Sequence, residues 1–287
     1  MKAVRILVML FLLVYGSPAE AAQPPDDVEF TPDIVYAAAG DVQLKLNLSR
    51  PRKPGKPLPC IVVIHGGAWR GGDRAAHNNL TWQFAQSGYV SVTVGYRFAP
   101  QHPWPAQIQD VMAAVRFLRA NAARYNLDPA RIGATGFSAG GHLAMMLGVL
   151  DKNDGFDDIG EHQEQSSKVQ AVVSFFGPTD LTSDYPQQVE PWLRDFIGGS
   201  RQENLDGYRS ASPITYVNAG DAPILMFQGT RDPLVPHAQA TLMVDALTRA
   251  GVPGRCELII GAGHGWSEPE LRRTLLVMME FFARHLK

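Results

Sequence analysis

Six short, mostly apolar runs recur along this chain: Ile61–Ile64, Val90–Val94, Ile132–Phe137, Val169–Phe176, Ile224–Phe227 and Leu258–Ile260. Helical patterns separate them. Ile108, Val111, Met112, Val115 and Leu118 follow helical spacing after Pro105, and Leu271, Leu275, Met278, Phe282 and Leu286 do so at the end of the chain. A strand that is apolar on both faces needs cover on both faces, and alternation with helices supplies it. The pattern therefore dictates an α/β fold with a parallel sheet between two helical layers. Asp41–Ser49 alternates Val42, Leu44, Leu46 and Leu48 with polar residues, as a half-buried strand near a sheet edge does. Gln23–Asp33 is rich in Pro and Asp and is expected to be a loose lead-in. Ser267 and Glu270 are expected to form a capping box on the last helix. Asp151–Lys168 and Asp180–Gly220 fit the alternation poorly. They are expected to overhang the C-terminal edge of the sheet as small cap insertions.

The first residues stand apart. Lys2 and Arg5 precede an apolar run, Ile6–Tyr15, which Gly16, Ser17 and Pro18 break before Ala19-Glu20-Ala21. A basic start, a short apolar stretch and a small-x-small site make a secretory signal peptide. Residues 1–21 are read as that signal, and 22–287 as one domain. The protein is expected to be exported, periplasmic or secreted, with no stable membrane insertion after cleavage. Cys60 and Cys256 open two strands separated by three others, beyond disulfide reach, and are expected to stay unpaired. A net charge of −2 gives no support to nucleic-acid binding, which wants a basic face, and no nucleic-acid partner is expected.

Gly136-Phe137-Ser138-Ala139-Gly140 spells G-x-S-x-G between an apolar strand and a helical pattern. A serine on such a strand-to-helix turn stands clear of the sheet, with the helix N-terminus aimed near its hydroxyl. A serine hydroxyl needs a base to take its proton, and the base needs an acid to orient it. His264, in Gly261-Ala262-Gly263-His264-Gly265-Trp266 after the last strand, is the candidate base. Asp232, in Gly229-Thr230-Arg231-Asp232-Pro233 after the Ile224–Phe227 strand, is the candidate acid, with Asp180 its rival. The seven remaining histidines have structural readings: His142 packs inside a helix, His65 braces a loop, His237 opens a helix, His285 closes one, and His77, His102 and His162 sit in polar or turn contexts. His65-Gly66-Gly67-Ala68-Trp69 follows the Cys60–Ile64 strand, where backbone N–H groups of Gly67 and Ala68, with that of Ala139, can receive an oxyanion. Trp69 and Trp266, with Trp192, are candidates for stacking on a sugar or aromatic acyl group. Asp151–Asp158 resembles a calcium loop but misses the register of its glycine, and no metal or other cofactor is expected.

Taken together with Tyr96-Arg97-Phe98-Ala99-Pro100, Pro103-Trp104-Pro105-Ala106 and Ser212-Pro213, these motifs resemble the α/β-hydrolase fold esterases and lipases. Within them the chain is similar to the hormone-sensitive-lipase-like group and to the bacterial carbohydrate-esterase/feruloyl-esterase (BD-FAE-like) group, over about Val42–Leu286. Ala68 stands where the common H-G-G-G loop has its third glycine. The resemblance implies a mostly parallel sheet of about eight strands and a serine carboxylesterase. Its substrate would be a small-molecule or carbohydrate-linked ester, cleaved through an acyl-enzyme. An amidase or formamidase, a serine peptidase, and an inactive hydrolase-fold binding protein are the alternatives.

Overall fold

A computed structural model describes residues 23–53, 55–156 and 159–287. The expected signal peptide lies outside the described residues. Eight strands form one open sheet in the order β1-β2-β4-β3-β5-β6-β7-β8. They are β1 (Val28–Ala39), β2 (Val42–Pro51), β3 (Leu58–Ile64), β4 (Val90–Val94), β5 (Leu127–Phe137), β6 (Ala171–Phe175), β7 (Ile224–Gly229) and β8 (Gly254–Ile259). β1 and β2 are antiparallel to their neighbours, and every pairing from β4 to β8 is parallel. The helices are α1 (Asn78–Gln86), α2 (Ala106–Ala120), α3 (Ala122–Tyr125), α4 (Ala139–Val149), α5 (Glu190–Ile197), α6 (Leu205–Ser210), α7 (Ala238–Arg249) and α8 (Glu270–Leu286).

The period of two along β3 divides the core. Cys60, Val62 and Ile64 join one buried cluster with Ile108 and Val111 of α2, Leu143 and Met146 of α4, and Met243 of α7. Ile61 and Val63 point the other way, to Phe84 of α1 and to Met278, Phe282 and Leu286 of α8. On β5, Gly133 keeps α8 close: a Cβ there would lie 2.8 Å from the Phe282 ring. Every residue of α4 is buried, so the helix behind Ser138 is held on all sides. Cys60 and Cys256 are free, with β5, β6 and β7 between their strands.

Two expectations need correcting. Most of the supposed lead-in is strand: β1 begins at Val28 and forms the sheet edge, with an irregular register between Thr31 and Ile34. An edge strand has one partner and much solvent, so it carries no strong apolar alternation and tolerates Pro32. The capping box on the last helix is absent. α8 starts at Glu270 with Pro269 as its cap residue and no side-chain cap bond. Glu270 is thus the first helical residue rather than the third, too early to reach back to a Ser267 cap.

Candidate active site

The C-terminal ends of β3, β5, β6, β7 and β8 face one region, and the loops leaving them carry the expected groups. Ser138 is the residue between β5 and α4, at φ 54° and ψ −120°. A non-glycine residue rarely holds that backbone, and such strain concentrates at functional turns. The flanking glycines are steric necessities. A Cβ on Gly136 would lie 2.2 Å from Gly140 O, and one on Gly140 would lie 2.1 Å from Ile64 O. Ser138 N–H donates to Phe175 O at 2.9 Å, tying the turn to β6.

The loop after β8 brings His264 Nε2 to 2.9 Å from Ser138 Oγ. The loop after β7 brings Asp232 Oδ2 to 2.7 Å from His264 Nδ1. The Asp232 side chain is 0% exposed and that of His264 8%. A carboxylate on Nδ1 fixes that nitrogen as N–H, leaving the Nε2 lone pair for the serine proton. Asp232 is itself held: Oδ1 accepts from Leu234 N–H at 2.8 Å and Val235 N–H at 3.0 Å. Its rival Asp180 turns inward on its own loop, accepting from Thr182 N–H, Thr182 Oγ1 and Ser183 Oγ.

The glycine loop after β3 lies against the serine, since a Cβ on Gly66 would sit 3.3 Å from Ser138 Cβ. Gly67 (φ 121°), Ala68 (φ 52°) and Trp69 (φ 58°) are consecutive positive-φ residues. At Gly67 a Cβ would strike Gly71 O at 2.0 Å. The loop's own backbone bonds run from Arg70 N–H to Gly67 O and from Ala99 N–H to Trp69 O, using neither the Gly67 nor the Ala68 N–H. Ala139 opens α4, where N–H groups lack intrahelical acceptors. The loop is braced from below. Tyr96 Oη donates to His65 O, the His65 ring stacks on Tyr96 at 4.4 Å, and His65 Nδ1 donates to Gly66 O at 2.7 Å. Burial holds His65 below the usual histidine range.

The model of one protein family, BD-FAE, matches residues 46–247. The chain belongs to the BD-FAE family. Esterase LipQ of Mycobacterium tuberculosis is 35% identical over 226 residues, covering 77% of this chain and 53% of that protein. Esterase LipC of the same organism is 34% identical over 229 residues, covering 77% and 56%. The chain spans about half the length of the curated relatives it matches. A truncated carbohydrate esterase from gut microbiota superposes with a TM-score of 0.80 at 28% identity, over 91% of this chain and 98% of that one. Thermogutta terrifontis esterase 2, solved with propionate bound, gives 0.75 at 28% identity, over 91% and 96%. The fold is that of the α/β-hydrolase esterases.

In this BD-FAE member the expected aromatic platform is only partly there. Trp69 is 4% exposed, with one face stacked on Phe196 at 4.1 Å and its edge on His142. Its Nε1–H donates to His142 Nδ1 at 3.2 Å. Trp69 is therefore a strut under the glycine loop after β3, corrected from a stacking surface, because Phe196 of α5 already covers its ring. Trp266 is half-buried, donates to Thr274 Oγ1 at 3.0 Å, and stands edge-on to Phe176 at 5.5 Å. Trp192 packs partly buried against the core.

Two residues at this site escaped the sequence reading. Phe176, at φ 44°, lays its ring 4.6 Å from that of His264. Gln228, fully buried, donates to Asp232. The available signal for Gln228 was a polar residue ending the apolar run of β7. For Phe176 there was none, because an aromatic at a strand end reads as core. Among the described residues no group of three or more His, Cys, Asp or Glu is placed to hold a metal, and no helix is long and apolar enough to cross a membrane.

Proposed function

We propose that this protein is a serine carboxylesterase acting on short-chain acyl or carbohydrate-linked esters through an acyl-enzyme. The unbroken chain from Ser138 Oγ to His264 Nε2 and from His264 Nδ1 to Asp232 Oδ2 carries the reading. Ser138 Oγ attacks the ester carbonyl as its proton passes to His264 Nε2. Asp232 holds the ring and balances the imidazolium that forms. The carbonyl oxygen takes up the negative charge against the N–H groups of Gly67, Ala68 and Ala139. The alcohol leaves with the proton from His264. Water then repeats the sequence on the acyl-enzyme, releasing the acid and restoring Ser138. The short-chain preference is supported by the neighbour that holds propionate, and the carbohydrate link by the gut-microbiota carbohydrate esterase.

Purified protein is expected to hydrolyse p-nitrophenyl acetate, and Ser138→Ala to abolish that turnover and labelling by a fluorophosphonate. Wild-type turnover in Ser138→Ala would end the proposal. Esters of rising acyl length, acetylated xylan and methyl ferulate then locate the substrate. Faster turnover of a peptide or of N-formylkynurenine than of any ester would move the protein to the amidase class. Export is part of the proposal and is supported by Lys2, Arg5, Ile6–Tyr15 and Ala19-Glu20-Ala21. Its test is the mass of the mature chain in the periplasm or medium, expected to begin near Ala22.

A further inference from the structure

Gln228 is the last residue but one of β7, after Ile224, Leu225, Met226 and Phe227, and it is 0% exposed. Its Nε2 donates to Asp232 Oδ2 at 2.8 Å, the same oxygen that accepts from His264. The second Nε2 proton goes to Val235 O at 3.0 Å. Both partners are acceptors, so only the nitrogen can face them. A flipped amide would set Oε1 against a carboxylate and a carbonyl. Gln228 Oε1 is left buried with no hydrogen-bond partner. An orphaned buried acceptor is destabilising, and an apolar side chain of similar size would avoid it. An amide kept at such a position points to its donor as the needed part.

We infer that Gln228 is a positioning residue for the triad, an amide clamp that fixes Asp232 beneath His264 and spreads the carboxylate's charge. The inference rests on the serine-hydrolase reading above. With Leu234 and Val235 N–H on Oδ1, and Gln228 and His264 on Oδ2, Asp232 has four donors and one orientation. Val235 O anchors the amide to the loop that carries Asp232, so strand and loop move as one. The titratable groups facing the clamp from the β7 and β8 loops are Asp232 and His264; Arg231 beside them is exposed. Without the amide, negative charge concentrates on Asp232 and favours the imidazolium, which cannot take the serine proton.

The test compares wild type, Ser138→Ala, Gln228→Met and Gln228→Glu on p-nitrophenyl acetate across pH, with Tm measured in parallel. Gln228→Met is expected to lower kcat about 10- to 100-fold, the range for one lost hydrogen bond to a charged group, with KM changed less than about threefold. The acidic limb of kcat/KM should move up by about half a pH unit. Gln228→Glu keeps the size and, while protonated, the donor. Its rate relative to wild type should be highest at the acid end and fall as pH rises. Unchanged kcat and an unmoved limb in Gln228→Met overturn the inference while leaving Ser138 chemistry intact. So does a loss that follows Tm alone with a pH-independent ratio in both variants. Should Gln228→Met fail to fold, the pH course of Gln228→Glu decides alone. Wild-type protein without Ser138-dependent turnover overturns the hydrolase reading and this inference with it.

Discussion

Acid should loosen this protein through the histidine that braces Trp69 of the glycine loop after β3. His142 sits one turn into α4, completely buried, with Nδ1 accepting from Trp69 and Nε2 donating to Ala211 O at 2.6 Å. A protonated ring would turn a donor toward the Trp69 N–H, and burial pushes the His142 pKa down to about 4. His77, stacked on Phe137 with Nδ1 unpartnered, is likewise pushed down to about 4 by burial and by the nearby His65. An unfolded histidine titrates near 6.5, so the folded state refuses a proton that the unfolded state takes. The stability is complete above about pH 6.5 and is lost as pH falls toward 4. At pH 5 the loss is ~2 kcal/mol for each histidine, from 0.59 ln[(1 + 10^1.5)/(1 + 10^−1)]. Gln at position 142 can accept from Trp69 and donate to Ala211 O without titrating. Urea unfolding of wild type and His142→Gln at pH 8 and pH 5 measures the effect. The variant should lose ~2 kcal/mol less than wild type over that interval, since carboxylates and His77 are common to both. A difference below ~0.5 kcal/mol, or of opposite sign, would refute the reasoning.

Gly67→Ala should reduce kcat about 10²- to 10³-fold, because its Cβ would meet Gly71 O and displace the N–H groups of the loop; steady-state ester hydrolysis reads it. Asp232→Asn should lower kcat by about 10⁴-fold, while Asp180→Ala should stay within a few-fold of wild type and lower stability by about 1 kcal/mol through its lost turn bonds. Equal losses in those two variants would reopen the choice of acid.

Much of the site was legible because its parts sit where chain and chemistry coincide. Ser138, Asp232 and His264 each lie in a Gly-bearing loop directly after an apolar strand, and a parallel sheet delivers all such loops to one edge. Their order along the chain left Asp232 and Asp180 both open as the acid, and the bond from His264 Nδ1 to Asp232 Oδ2 decided between them. Trp69 was misread for a related reason. Next to Gly66-Gly67-Ala68 it looks like a loop aromatic with a free face, and nothing nearby in sequence announces that Phe196 stacks on it. β1 was missed because an edge strand with one neighbour needs little apolar pattern.

The sequence alone determined the layers, the loops that carry the reacting groups and the glycines of the tight turns, because these follow from local periodicity and steric limits. Only the tertiary structure decided which polar groups meet. Gln228 reaches Asp232 across one loop, Phe176 packs on His264 from just past the end of β6, two strands away from β8, and His142 joins Trp69 to Ala211. Such contacts depend on the twist and register of a sheet whose strands are far apart in the chain. A hydrogen bond exists or fails within a few tenths of an ångström, a tolerance that hydrophobic patterning does not encode.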